Sequence, residues 1–372
     1  KGGFCMSFEK INKKLGFGCM RLKMDGDKVD YNEFNKMIDM FMEAGFNYFD
    51  TAHGYIGGLS ETSIRDCLSA RYPRESFVLA NKLSDPYFEK EEDILPLFES
   101  QLALCGVDYF DFYLFHCLNR NLYKKHKSCN AFGIVQRLKE EGKIKHIAMS
   151  FHDTADILDM ILTEQPFIEA VQLQINYLDY DDPVVQSKKC YDVAVKHGKK
   201  VIVMEPVRGG ALADLPPAAA KLFDDLGGGS HASYAIRYAA SYPEVFMVLS
   251  GMGTTAMMAD NISTMKNFVP LNEKELAATD RAREIIREVR RIPCTGCDYC
   301  AEGCPKKIPI SKIFAAYNGF LSAACTKGEA KERMPQTGGK PSDCISCGAC
   351  EKICPQGIEI RKHLKTISDD MR

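Results

Sequence analysis

CTGCDYCAEGCP, residues 294–305, spaces four cysteines by two, two and three residues and ends in proline, and CISCGACEKICP, residues 344–355, repeats that spacing position for position. Three thiolates so close in sequence can take three corners of one iron–sulfur cubane, and the rule for this spacing sends the fourth thiolate to the other cluster. The halves then interlock. Cys294, Cys297, Cys300 and Cys354 are expected around one [4Fe-4S] cluster, and Cys344, Cys347, Cys350 and Cys304 around a second. Paired C-x2-C also reads as a zinc site, but a third cysteine at the same interval and the C-P ending, both repeated, favour clusters. The C-x3-C-x2-C spacing of radical S-adenosylmethionine enzymes does not occur: no cysteine follows Cys300 and Cys304 at the second interval.

The other eight cysteines, Cys5, Cys19, Cys67, Cys105, Cys117, Cys129, Cys190 and Cys325, are scattered and read as inert small apolar side chains. A disulfide framework suits short secreted chains, whereas KGGFCMSFEKINKKLG at the start lacks the apolar core of a signal peptide. Reduced thiols and a cytoplasmic location are the resulting expectations. With 48 basic and 50 acidic residues the formal charge is -2, which gives no reason to expect nucleic-acid or anionic-membrane binding. No apolar run approaches the roughly 18 residues of a membrane span. A 45% apolar content over 372 residues supports one large core and one small one.

Ahead of the cysteines, apolar strand-like segments recur: GFGCMRL at 16, NYFD at 47, FVLAN at 77, FDFYLFH at 110, IKHIAMS at 144, EAVQLQIN at 169, KVIVMEP at 200 and VFMVLSG at 245. Helical patterns lie between them, clearest where Phe34, Met37, Ile38, Phe41 and Met42 form one face behind an Asp30/Glu33 capping box, with Gly45 as its stop. Eight alternating units predict a (β/α)8 barrel, with a doubly wound sheet as the alternative. Most of these runs finish in a polar residue: Asp50, Lys82, His116, Ser150, Asn176, Glu205 and Ser250. In a barrel those ends converge on the C-terminal mouth, where the chemistry of this architecture is done. Opposite charges at Asp50 and Lys82 in a partly desolvated mouth are costly unless they pair.

NYFDTAHGY, LANKL and FYLFHC resemble the catalytic segments of the aldo-keto reductases, and the likeness continues through IAMSFHD, VQLQINY, VMEPVRGG and LSGMGTTAMMADNI. With its tail, the chain resembles family members that carry a C-terminal 4Fe-4S ferredoxin-type domain. The resemblance implies a tetrad of Asp50, Tyr55, Lys82 and His116. Tyr55 would protonate a carbonyl oxygen, Lys82 would lower the phenol's pKa from near 10, Asp50 would hold Lys82, and His116 would orient the carbonyl. It also implies NADP(H) or NAD(H) across the mouth, held by Ser150, Gln172, Met204, Ser250, Gly251, Gly253, Asp260 and Asn261. The pattern departs at Phe151, which stands where asparagine is usual, at Met204, which stands where an aromatic residue commonly stacks on the nicotinamide, and at Gly251 and Met257, which replace the basic residues that grip a 2'-phosphate. Backbone amides around Gly251 to Gly253 remain a place for phosphate. His53 is offered to substrate, with a plain loop histidine as the rival, Arg208 to an anion, with a solvated loop arginine as the rival, and Ser60-Glu61 to the cap of the next helix.

The domains expected are a barrel over 1–271, a linker helix over 272–290 with Leu276, Ile285, Ile286 and Val289 as its apolar side, and a small α+β ferredoxin-like domain over 291–372. Within the last, KIPISKIFAAYNGF reads as a helix and TKGEAKERMPQTGGKP as an exposed loop. Hydride transfer moves two electrons and a cubane one. The clusters therefore point to a ferredoxin or flavoprotein partner alongside a small-molecule carbonyl substrate, with a structural role as the rival. Two other readings stand beside the nicotinamide-dependent reductase: a reductase fed through the clusters with little nicotinamide use, and a non-catalytic redox-sensing or docking module.

Overall fold

The computed structural model describes residues 8, 10–288, 291–321 and 325–371. Cys5 and Val289 lie outside them. Among the described residues eight parallel strands close into a barrel: β1 (Leu15–Gly18), β2 (Tyr48–Asp50), β3 (Val78–Leu83), β4 (Phe110–Leu118), β5 (Ile144–Phe151), β6 (Ala170–Gln174), β7 (Lys200–Met204) and β8 (Val245–Ser250). Since β1 pairs with both β2 and β8, the sheet has no edge and the doubly wound alternative falls. Each expected apolar segment carries one strand. No described helix is long and apolar enough to cross a membrane.

Side chains alternate across a strand with a period of two, and this places the site. Tyr48, Val78, Ala80, Phe112, Leu114, Ala148, Ala170, Ile202, Met247 and Leu249 form one buried cluster inside the barrel. Two residues beyond members of that set, on the same pleat, come Asp50, Lys82, His116, Ser150, Gln172 and Met204. Phe8 packs on Phe246, Phe112 and His146 at the other end of the strands, with ring centroids 4.5–5.2 Å apart. The helix Tyr31–Glu43 buries Phe34, Met37, Ile38 and Phe41 as expected, and Asp30 accepts from the Glu33 N–H. The return half of the capping box is absent from the contacts, because the Glu33 carboxylate accepts from the Thr255 N–H at 2.6 Å instead.

By compactness the chain divides into Lys1–Pro206 with Ser233–Asn272, and Val207–Ala232 with Glu273–Arg372. In the second unit, helix Glu273–Glu288 packs on helix Pro217–Asp224. Its buried stripe is Glu275, Thr279, Ala282 and Ile286, so the apolar side expected from Leu276 is corrected: Leu276 is 39% exposed. A core of Ile292, Cys300, Ile308, Ile310, Ile313, Phe314, Tyr317, Cys350, Ile358, Ile360, Leu364 and Ile367 holds the tail together. Its members extend the cysteine repeat at the same fifty-residue offset: Cys300 and Cys350, Ile308 and Ile358, Ile310 and Ile360, Phe314 and Leu364, Tyr317 and Ile367. Left-handed backbone recurs with it, at Gly296 and Ser346, Asp298 and Gly348, Lys307 and Gly357. The expected helix is Ile310–Leu321. The stretch read as an exposed loop contains a helix, Lys327–Arg333, because Thr326 and Glu329 close a capping box that outweighs its polar composition.

Candidate active site

Lys82 is 1% exposed, and its Nζ donates to Asp50 Oδ1 and to the Thr51 carbonyl, both at 2.6 Å. It lies 4.9 Å from the Tyr55 ring centroid and hydrogen-bonds the Tyr55 side chain. Burial opposes the Lys82 charge, but Asp50 and Tyr55 together raise its pKa above the ordinary lysine value. Burial also pushes the Asp50 carboxyl up, with Lys82 pulling it back. The Tyr55 and His116 rings meet edge to face at 5.9 Å. All four members of the sequence-derived set are thus together. Burial drives His116 well below the usual histidine range, with Lys82 and His152 adding to the effect, so at neutral pH it is an uncharged imidazole. Its Nδ1 shares a hydrogen bond of 2.6 Å with Ser84 Oγ.

The loop between β2 and the next helix is tied from below. Gly58, with φ 89°, precedes helix Leu59–Ile64, so Ser60 and Glu61 lie inside the first turn, not at the cap expected of them. Ser60 Oγ donates to the Cys19 carbonyl at 2.9 Å and shares a bond with Thr51 Oγ1 at 2.8 Å. Glu61, fully buried, accepts from Asn81 Nδ2 and meets His53 Nδ1 at 2.7 Å. Asn81 in turn accepts from Gln101, whose Oε1 accepts from the Tyr113 hydroxyl. Buried polar groups of this kind hold a loop in one place only when each has a partner. His53, read from sequence as a candidate for substrate contact or as a plain loop histidine, has its Nδ1 on the Glu61 carboxylate.

The nucleotide residues are offered unequally. Gln172 is 3% exposed and its Oε1 is buried without a hydrogen-bond partner among the described residues. An unmet buried acceptor costs about 1–3 kcal/mol, and a carboxamide N–H would satisfy it. Ser150 Oγ accepts from the Cys117 N–H at 2.7 Å, which leaves the Ser150 hydroxyl proton to donate elsewhere. Met204 is half-buried at the end of β7. Gly251 and Gly253 border Arg21, a Cβ on Gly253 reaching 3.3 Å from the Arg21 carbonyl oxygen. Arg21 itself is paired with Glu205 at 2.9 Å. Asn261 spends its Nδ2 on Ser250 Oγ at 2.7 Å, while the Asp260 carbonyl accepts from Ser263 and Thr264. Phe151 stands on the opposite pleat from Ser150 and is buried; the next residue on the Ser150 side is His152, which electrostatically faces His116. Burial pushes His152 down to about 4. Sequence reading missed it by counting neighbours along the chain, where the period of two would have found it.

In the tail, Cys304, Cys344, Cys347 and Cys350 line one pocket with Lys306, Ile345 and Arg361. Cys300 feels the charges of Cys297, Cys294 and Cys354. The two interlocked sets expected from spacing are therefore gathered as two separate groups of thiols. Near the first set, Gly209 with φ 64° lets the backbone approach so closely that a Cβ would lie 2.1 Å from the Thr295 carbonyl oxygen. Arg208 acts to lower the Cys294 pKa against the larger opposing effect of burial.

A model of the aldo/keto reductase family matches residues 14–284, and a model of the 4Fe-4S dicluster domain matches residues 293–359. An aldo-keto reductase of Mycolicibacterium smegmatis is 28% identical over 177 residues, 46% of this chain and 59% of the relative, so the chain spans about three fifths of that relative's length. The L-galactose dehydrogenase of Arabidopsis thaliana is 23% identical over 300 residues, 75% of this chain and 89% of its own. The holo form of aldo-keto reductase AKR11C1 from Bacillus halodurans shares the fold, with a TM-score of 0.60 at 22% identity over 72% of this chain and 91% of its own.

Proposed function

We propose that this chain, which belongs to the aldo/keto reductase family and carries a C-terminal 4Fe-4S dicluster domain, reduces a small carbonyl compound with Tyr55 as the acid. A nicotinamide nucleotide supplies the hydride when bound. The observation that carries the reading is the fully buried Lys82, held by Asp50 and the Thr51 carbonyl and directed at Tyr55. A lysine ammonium beside a phenol stabilises the phenolate and so eases release of the proton to a carbonyl oxygen that gains charge. Asp50 keeps that ammonium charged and in place. His116, neutral and braced by Ser84, donates a hydrogen bond from its remaining nitrogen to the same oxygen. Gln172 Oε1 and the Ser150 hydroxyl would hold the carboxamide, and Met204 would offer an apolar surface to the ring.

The eight motif cysteines hold two [4Fe-4S] clusters, which exchange single electrons with a carrier protein. One observation favours a second reading in which nicotinamide is little used. The first free amide of the helix after β8, at Thr255, is already taken by the Glu33 carboxylate, and Met257 stands exposed where a cation would grip a 2'-phosphate. Anaerobic protein with its iron intact, mixed in turn with NADH and NADPH, tests both. Nucleotide oxidation with carbonyl turnover, or with cluster reduction seen by electron paramagnetic resonance, supports the first reading. Absence of nucleotide binding in a protein whose clusters dithionite reduces supports the second.

A further inference from the structure

We propose that the edge of the second cluster, at Cys347, is the electron port of this chain, and that its partner is a one-electron carrier protein with an acidic face. The inference rests on the reading that the eight cysteines hold two clusters, and it assigns the partner's chemistry and the cluster it meets. Of those eight ligands Cys347 is the exposed one; Cys300 and Cys350 are buried and the others intermediate. Beside it, Ile345 is 57% exposed and lines the same cavity as Lys306 and Arg361. Electron tunnelling falls steeply with distance, so the cluster whose ligand reaches solvent is the one a second protein can serve.

The two ligand groups differ in charge. Segment 294–304, around three ligands of the first cluster, carries Asp298 and Glu302 and no cation. Segments 303–309 and 340–354, with Arg361, carry Lys306, Lys307, Lys340, Lys352 and Arg361 against Asp343 and Glu351. Both of those carboxylates are engaged: Glu351 binds the Arg361 side chain at 2.7–2.8 Å, and Asp343 accepts from the Lys340 N–H at 2.7 Å. Lys306, Lys307, Lys340 and Lys352 are all exposed. An exposed apolar side chain at the pocket, with Lys306 beside it and further exposed lysines in the segments that carry the ligands, is complementary to an acidic surface and steers it by long-range attraction. In the transfer the carrier loses one electron and the cluster gains one; no bond or proton moves.

The test is anaerobic stopped-flow mixing of the holoprotein with a reduced, acidic [2Fe-2S] ferredoxin, read as return of the carrier's own oxidised absorbance, whose bands differ from those of a [4Fe-4S] cluster. Transfer is expected to slow as salt is raised, and Lys352→Glu and Ile345→Glu are each expected to lower its second-order rate constant by ~10-fold or more. Dithionite should reduce both variants to the extent it reduces the parent. Lys352 ligates nothing, so that variant keeps the test decisive if Ile345→Glu loses iron. Unchanged ferredoxin rates in Lys352→Glu, or rates indifferent to salt, would overturn the port. No transfer from ferredoxin to a chain that dithionite reduces overturns the partner class. A chain with no signal reducible by dithionite overturns the cluster reading beneath both.

Discussion

Replacing Lys82 by methionine removes the cation and keeps most of the side-chain volume, and the structure says what is left behind. Asp50, 3% exposed, loses the donor at 2.6 Å from Oδ1, while its Oδ2 already has no hydrogen-bond partner among the described residues. Breaking one side of a buried ion pair costs about 3–5 kcal/mol because a charge remains unpaired, against a total stability of roughly 5–15 kcal/mol. Replacing both partners, as Asp50→Asn with Lys82→Met, removes the stranded charge, so the double variant is expected to be more stable than Lys82→Met alone. The pH dependence has a definite sign. Burial raises the Asp50 pKa, and without Lys82 that rise is unopposed. A carboxyl with a raised folded-state pKa binds more protons when folded, so stability falls as pH climbs from the unfolded value through the folded one. The deficit of Lys82→Met should therefore be small in acid and largest at neutral pH. The assay is the apparent urea midpoint of parent, single and double variants across pH, anaerobically and with clusters intact. A single variant as stable as the double at neutral pH would refute the argument that Asp50 is held ionised by Lys82.

Gln172→Leu removes an acceptor with no partner, so it should leave the nucleotide-free protein as stable or more stable while weakening NADH binding by about 1 kcal/mol or more; thermal midpoints and titration calorimetry check the two halves. Glu33→Gln frees the Thr255 amide from a competing negative charge and should move the affinity ratio of NADPH to NADH severalfold toward NADPH, measured by fluorescence titration. Cys304→Ser should perturb the cluster of the later motif and spare that of its own, seen as loss of one of two paramagnetic signals and of part of the bound iron.

The eight strands were legible because β-branched and aromatic bursts such as KVIVM and FDFYLFH fall between helical stretches at a regular spacing. The tetrad was legible for a further reason: Asp50, Lys82 and His116 each close such a burst on the inward pleat, and Tyr55 follows at a short fixed distance from Asp50. What stayed hidden depends on which residues meet across the fold. The Glu61 carboxylate looks like an ordinary first-turn acid until Asn81 and His53 come to it from other elements. Glu33 reads as half of a local capping box, yet its partner is more than two hundred residues away at Thr255. Leu276 looked like part of a helix stripe, but the buried side is set by Glu275, Thr279, Ala282 and Ile286. The continuation of the cysteine repeat through Ile308, Ile310 and Phe314 was in the sequence throughout; it shows once the core names which positions to compare.

The most direct test of the account is the turnover of Tyr55→Phe on an activated aromatic aldehyde with NADH or NADPH, measured beside nucleotide affinity. The phenyl ring keeps the edge-to-face contact with His116 and loses only the hydroxyl. Loss of a positioned general acid is expected to lower kcat by about 10²–10⁴-fold with nucleotide binding unchanged. Undiminished turnover in this variant would contradict the assignment of Tyr55 as the acid.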